Sequence, residues 1–452
     1  MPASTCTTGS AAVIGGGIAG LSAAVALRRA GWKVQVFEKS QFKNEIGAAI
    51  SVPPNATRVL DRWGFDMKKA RPVPNQTMRL ALAHDLSYIL DERYPDLVEE
   101  VGHESWSFHR VDLHRGLTKL AQDAARSDGQ GWPVEMNLRC EVASVDCDRG
   151  LLVLKDRDGT RARTVKKDLV VIADGAHSHL ISDLTGRPSD LRRTGRSIYR
   201  WLVSMKDVLA DPDIAQHYPP NQLPGFISFS DPTREILWVS YTCRGGTMLN
   251  NAVVHDTQSG EGNDSLWHSP VTKDQVLKML GEGFHPTIQK LVNMADKEED
   301  GIKVHHLFKR PPLDSFVRGR ALVVGDAAHV MMPTHAAGGA IAIESAASLE
   351  VLFRGVNGGD EKTVKERLKL FDQLRLPRCN LTMLASNAGP RWLAVPGVEV
   401  EVRRFYKGPL PPAGTLPWTK EFRELLFHHD EFMAAEEALA AATTAVETTV
   451  QA

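Results

Sequence analysis

The sequence predicts an α/β chain in which a parallel sheet wrapped by helices is joined to an antiparallel sheet and followed by C-terminal helices. Three observations carry this. A strand, a glycine-rich turn Gly15-Gly16-Gly17-Ile18-Ala19-Gly20, a helix and a second strand open the chain. Two later runs, Leu169–Ala173 and Ala321–Val324, are continuously apolar, as strands buried on both faces of a parallel sheet are. Between Arg192 and Asn250, aromatic and β-branched residues instead alternate with polar ones, the pattern of an antiparallel sheet.

The opening unit runs from the apolar strand Ala11–Ile14 through the helix Leu21–Ala30, closed by Gly31, to the strand Lys33–Phe37 ending at Glu38. Its glycine spacing is that of a Rossmann-like dinucleotide site. Gly15 permits the tight turn, Gly17 lets the backbone approach a pyrophosphate, and Gly20 lets helix and strand pack closely. The free amides and positive dipole end of the helix then face the phosphates. Glu38, eighteen residues past Gly20, is placed to accept hydrogen bonds from an adenosine ribose and to repel a 2′-phosphate. The unit alone leaves NAD and FAD both open.

Composition narrows the class. Of 452 residues, 42% are apolar and 24% charged, as in an ordinary globular protein. A net charge of −1 gives no general pull toward nucleic acid or an anionic membrane. Cys6, Cys140, Cys147, Cys243 and Cys379 are odd in number and lack CxxC spacing, which argues for free thiols in a reducing compartment and against a disulfide framework or a zinc site. Met1–Ser10 shows neither basic residues nor an apolar signal core, and the longest apolar stretch, Ala336–Phe353, is broken by Glu344 and Glu350. A cytoplasmic protein without a membrane span is expected.

After Glu38, a polar loop leads through Glu45-Ile46-Gly47-Ala48-Ala49-Ile50 to a helix at Ala56–Trp63. Alternation over Met78–Leu90 predicts exposed sheet, and His109-Arg110 begins a helix reaching about Ala125 with Asp112 near its start. A turn is expected at Gly129–Pro133, and Glu141–Val145 with Leu151–Leu154 should form a hairpin. Val253–Ser269 reads as a surface loop; Thr272–Leu280 and Pro286–Ala295 read as helices. Gly338–Phe353 is a helix of small apolar residues, and Glu361–Leu384 is another that Pro377 should kink. The prolines between Gly408 and Trp418 suggest an extended linker, and Ala434–Ala452 at best a frayed helix.

Gly15-x-Gly17-x-x-Gly20, then Ala173-Asp174-Gly175, then Gly325-Asp326-Ala327-Ala328-His329 with Pro333, in this order and at this separation, resemble the FAD-dependent aromatic hydroxylases, the single-component class A flavoprotein monooxygenases. The likeness spans about Ala11 to Arg404. Within it, Glu38-Lys39-Ser40, Glu45-Ile46-Gly47-Ala48 and Pro54-Asn55-Ala56 are most similar to the salicylate-hydroxylase-like branch that tailors secondary metabolites. The resemblance implies a discontinuous FAD domain of the glutathione-reductase/p-hydroxybenzoate-hydroxylase type (1–75, 105–185 and 305–360), a substrate-binding sheet domain (76–104 and 186–304) and a C-terminal helical region and tail (361–452).

It also implies site residues. Gly15, Gly17, Gly20, Glu38, Lys39, Ala49, Arg110, Asp174, Asp326, Pro333, Gly338 and Gly339 fall on the cofactor side. Asp326 suits a ribityl hydroxyl, Arg110 contacts the cofactor, Asp174-Gly175 serves FAD and NAD(P)H, and Pro333 presents a carbonyl near the flavin. The amides of Gly338-Gly339 can stabilise negative charge on reduced flavin. Arg200 and Tyr241 match positions that line the substrate pocket and are the candidate catalytic residues. An arginine can pair with a phenolate or carbonyl, and a tyrosine can hold or deprotonate a phenol. Read from the residues alone, a structural ion pair for Arg200 and a plain strand aromatic for Tyr241 stay open, as do core roles for Trp201, Phe226, Phe229 and Trp238.

The chemistry implied is NADPH- or NADH-dependent flavin reduction followed by a C4a-hydroperoxide that hydroxylates, epoxidises or dearomatises an aromatic small molecule, in a monomer or homodimer. No second GxGxxG unit is present, so a nicotinamide must bind transiently in a groove. His177-Ser178-His179, His305-His306 and His428-His429 lack a carboxylate at metal-site spacing, so no metal is expected. Departures from the family pattern are Ile172 where glycine is usual, no arginine soon after Ser178, and Ala336-Ala337-Gly338 with Ala340 in place of Gly-Gln-Gly and Asn. They keep two alternatives in view, a flavin oxidase or dehydrogenase and a non-catalytic FAD-fold binding protein.

Overall fold

A computed structural model describes residues 9–42, 48–123, 132–155, 162–262, 269–295 and 301–451, with the side chains of 445–451 left aside. Cys6, Glu45-Ile46-Gly47, residues 129–131 of the expected turn and residues 263–268 of the expected loop lie outside the described residues.

The apolar runs meet in one six-stranded sheet, ordered Val317–Arg318, Ala321–Val323, Leu169–Ile172, Ser10–Ile14, Lys33–Glu38 and Glu135–Leu138. All neighbours are parallel except the edge pair Val317–Arg318 with Ala321–Val323. The register sets Ile14 beside Phe37 and Ile172, and Ile172 beside Val323. The segments that follow these strands, Gly15–Gly20, Asp174-Gly175 and Gly325-Asp326, therefore emerge along one carboxyl edge, where open α/β sheets bind ligands. The helix Ile18–Arg29 covers the sheet and packs on the central helix Gly338–Leu352.

A second sheet of eight strands is ordered Ser269–Val271, Ile302–Lys309, Arg192–Ser204, Met248–Asp256, Ile236–Cys243, Gly225–Asp231, Thr77–Leu82 and Tyr88–Arg93. Its pairs are antiparallel save Gly225–Asp231 with Thr77–Leu82. Alternation gives it two faces. Tyr199, Trp201, Phe229 and Trp238 point to the side packed by the helices Lys273–Leu280 and Pro286–Asn293 and are fully buried there. Register places Arg200 level with Ala252, Leu202 and Tyr241 level with Asn250, on the opposite face. That face looks toward the parallel sheet. The Ala49 N–H donates to Asn250 Oδ1 at 2.9 Å, and Arg244 pairs with Asp112 at 2.9 Å, so the second sheet is tied to the strand Ala49–Val52 of a small three-stranded sheet and to the helix Arg110–Gln122.

Four expectations are corrected. The supposed loop from Val253 begins as strand through Asp256, because Val253 and His255 pair with Tyr199 and Ser197 of the neighbouring strand. The helix from Glu361 runs past Leu384 to Ala388 and contains Pro377, whose neighbours Arg375 and Arg378 are fixed on Glu344 of the central helix. The stretch Gly408–Trp418 is non-helical as expected, yet it ends in a buried tryptophan and is no free linker. The tail is a helix, Glu431–Gln451, docked beside the central helix.

An ion cluster holds that tail. Arg375 bonds Glu431 and, at 2.6 Å, Glu344; Arg378 reaches Glu344 at 2.6 and 2.8 Å, and Asn55 donates to Glu344 at 2.7 Å. Burial alone would raise the Glu344 pKa, but the two guanidinium groups hold its carboxyl well below the usual range. A charge cluster so deep costs several kcal/mol per ion to desolvate, so losing one partner is far worse than never having the pair.

Candidate active site

A cleft of about 930 Å³ runs along the carboxyl edge of the parallel sheet and under the second sheet. It is lined by Gly16, Gly17, Glu38 and Lys39 at one end, by Arg110 and Asp326, and by Arg200 and Pro333 at the other. The glycine loop and Asp326 thus share one continuous channel.

The three glycines differ in what demands them. A Cβ at Gly15, whose φ is +98°, would lie 2.4 Å from the Ala173 carbonyl oxygen, and one at Gly20 would lie 2.0 Å from that of Gly15. These two are required by the protein itself. A Cβ at Gly17 would meet no protein atom within 4 Å, and its φ of −72° suits any residue. What needs bare backbone there is outside the chain. Glu38 accepts the N–H groups of Gly16 and Ser40, each at 2.7 Å, which fixes its carboxylate at the mouth of the loop.

Polar groups along the cleft are left for a ligand to satisfy. Beside the cleft, two residues before its lining Ala176, Asp174 Oδ1 is buried without a partner among the described residues, and burial raises the acid's pKa. Arg200 is half-buried and makes no hydrogen bond or ion pair among the described residues; burial, with the cation of Arg110, lowers its pKa while Tyr241 and Asp326 act the other way. Asp326 is exposed to the cleft at the start of a short helix, and Gly338 begins the central helix beside it, a Cβ there lying 3.9 Å from Asp326 Oδ1. Ala49 begins a strand one residue beyond the cleft-lining Ala48. Gly339 packs on Ile50, where a Cβ would come within 2.8 Å.

Tyr241 does not line this cleft. It sits on the same sheet face as Arg200, meets Phe226 edge-on at 5.0 Å, and burial raises its pKa. His329 is buried with neither ring nitrogen partnered, and burial pushes it down to about 4, which leaves it a neutral packing group.

The chain matches the family described as "FAD binding domain" over residues 8–383. It belongs to that family. Hispidin-3-hydroxylase of Neonothopanus nambi is 30% identical to it, over 83% of this chain and 86% of that protein. 3-Hydroxybenzoate 6-hydroxylase of Polaromonas naphthalenivorans is 27% identical, over 88% and 92%. A salicylate hydroxylase solved as its substrate complex shares the fold, with a TM-score of 0.70 at 22% identity over 96% of this chain and 98% of that one. This family member is an FAD-dependent monooxygenase, with NAD(P)H and dioxygen as co-substrates. The cleft fits FAD: an open cradle at Gly17 and an unpaired cation at Arg200 line one channel, and the unsatisfied acid of Asp174 lies two residues before its lining Ala176.

Two features escaped the sequence. The loop arginine missing after Ser178 has a stand-in, Arg310, which is buried and donates to the carbonyls of Ala327 at 2.5 Å and Ala176 at 3.1 Å and to Ser189. One side chain therefore braces both the Asp174 and the Asp326 loops. Nothing local marks Lys309-Arg310-Pro311 for that work. The other is a convergence of Glu344, His429 and Glu431, the only metal-like group of three found among the described residues. Its carboxylates are already paired with Arg375 and Arg378, so the cations present are arginines.

Proposed function

We propose that the cleft holds FAD along its length and that an electron-rich aromatic substrate lies against Arg200 and Tyr241, receiving one oxygen atom from dioxygen. The observation that carries this is the half-buried, unpaired Arg200 facing a cleft that also contains Asp326 and the open glycine loop. In this reading Gly15, Gly17 and Gly20 form the pyrophosphate cradle, Glu38 takes the ribose and Lys39 and Arg110 face the phosphates. The backbone at Ala49 and Pro333, the carboxylates of Asp174 and Asp326, and the amides of Gly338 and Gly339 hold the flavin half. Bound there, FAD supplies reduction by NAD(P)H and activation of dioxygen.

The chain's own part is to orient and to exclude water. Arg200 offers a charge-assisted hydrogen bond to a phenolate or carbonyl, and the unpaired Tyr241 hydroxyl holds the substrate's oxygen. Hispidin, 3-hydroxybenzoate and salicylate, named with the relatives, are the first substrates to try. Cys140, Cys147, Cys243 and Cys379 form no disulfide among the described residues, which suits a cytoplasmic protein, read here as a monomer or homodimer. The expected division is cofactor work for 1–75, 105–185 and 305–360, and substrate work for 76–104 and 186–304.

The purified protein should be yellow and should consume NAD(P)H faster with one of these phenols, placing label from ¹⁸O₂ in the product. Stoichiometric peroxide with no oxygenated product would make it an oxidase instead.

A further inference from the structure

The strap that follows the proline-rich stretch does more than cover the sheet. Trp418 is buried, and its φ of +71° is a backbone conformation that costs a bulky L residue strain. Such strain persists only where surroundings over-determine it, and here they do. The indole stacks on Tyr94, with centroids 5.8 Å apart and planes at 19°, and meets Phe226 and Phe427 edge-on at 5.0 Å each. Arg423 donates to the Trp418 carbonyl at 2.8 Å while pairing with Glu100 at 2.8 Å.

Two segments next to the cleft, the sheet face that carries Arg200 and the loop that carries Pro333, rest on this strap. Phe226, held by Trp418, is the ring that packs edge-on against Tyr241. Four residues past Trp418, Phe422 stacks on His335 at 5.2 Å, two residues after Pro333. Tyr241, Phe226, Trp418, Phe422 and Ala336 form one apolar cluster. The sheet wall and the Pro333–Ala336 loop are thus spaced by a single strained tryptophan and its neighbour helix.

We propose that Trp418 is a positioning residue that sets how large a ring the pocket admits, acting through Phe226 on Tyr241. This rests on the reading of Arg200 and Tyr241 as the substrate wall. Removing the indole lets Phe226 and Tyr241 retreat, which favours a two-ring phenol over a one-ring phenol.

The test uses FAD-loaded protein, with salicylate and 2-naphthol as probes and binding read from the flavin's visible spectrum. In Trp418→Ala, the ratio of the 2-naphthol Kd to the salicylate Kd should fall about tenfold, within what a change of pocket volume yields. FAD should be retained, and Trp418→Phe should restore most of the ratio. A folded, yellow Trp418→Ala with lowered melting temperature and an unchanged ratio would overturn the proposal, leaving Trp418 a structural residue. Should that variant fail to fold, Phe226→Leu opens the same gap and must shift the ratio in the same direction; no shift overturns the idea equally. If neither probe perturbs the flavin, a crystal structure of the variant decides, a displaced Tyr241 ring supporting the proposal and an unmoved one ending it. Arg200→Ala separates the two levels. If it leaves salicylate binding unchanged, the pocket reading fails; if it weakens binding while Trp418→Ala keeps the ratio, only the strap proposal falls.

Discussion

At the glycine-loop end the cleft is walled by backbone, and at the sheet end by side chains. Gly15 and Gly20 are there because a Cβ would strike a carbonyl oxygen, and Gly17 because the surface must stay bare. The far end is lined by the side chain of Arg200, with Tyr241 on the same sheet face two register positions away and Phe226 packed against it, backed by Trp418. Backbone chemistry is the same for every residue type, so the first end suits an invariant ligand. Side chains can be exchanged one at a time, so in the proposed reading the second end is where substrate choice resides.

That contrast can be broken in order of expected effect. Gly17→Val should abolish FAD retention while leaving the fold intact, since its side chain meets no protein atom but occupies the cradle; a yellow variant would refute the cradle. Arg310→Met leaves the carbonyls of Ala176 and Ala327 without their donor, and should cost about 2–3 kcal/mol of stability with weakened FAD affinity, checked by denaturant melts and flavin titration. Arg200→Ala should keep FAD but lower kcat/KM about 10- to 100-fold, the worth of one charged hydrogen bond of about 1.5–3 kcal/mol. Unchanged turnover removes Arg200 from the site. Smallest is Ala336→Gly: Ala336 has φ +53°, so glycine should relieve strain and add about 0.5–1 kcal/mol after its own entropy cost, seen as a modest rise in Tm.

The same contrast explains what could be read in advance. The parallel strands, the glycine loop and the hairpin at Glu141–Lys155 are local patterns, in which sterics and alternation act over a few residues. Arg310 and Glu431 act through partners up to 134 and 83 residues away, and nothing beside them in the chain names those partners. The tail looked frayed because Ala, Thr and Glu show no apolar stripe, whereas its anchor lies in its first turns, the buried Glu431 carboxylate with Phe432 and Ala435 packed in the core. Trp418 hid among prolines, since its packing partners lie on strands and loops far upstream. Ala336 was visible only as a departure from a family pattern; the positive φ supplies the physical reason glycine is usual there.

The ion cluster under the central helix has a consequence for how the chain is made. Synthesis delivers Glu431 56 residues after Arg375, which needs that carboxylate to balance its burial beside Glu344. The cluster therefore stays one carboxylate short until the helix Glu431–Gln451 is made, and cutting that helix away would unbalance charges packed against the central helix.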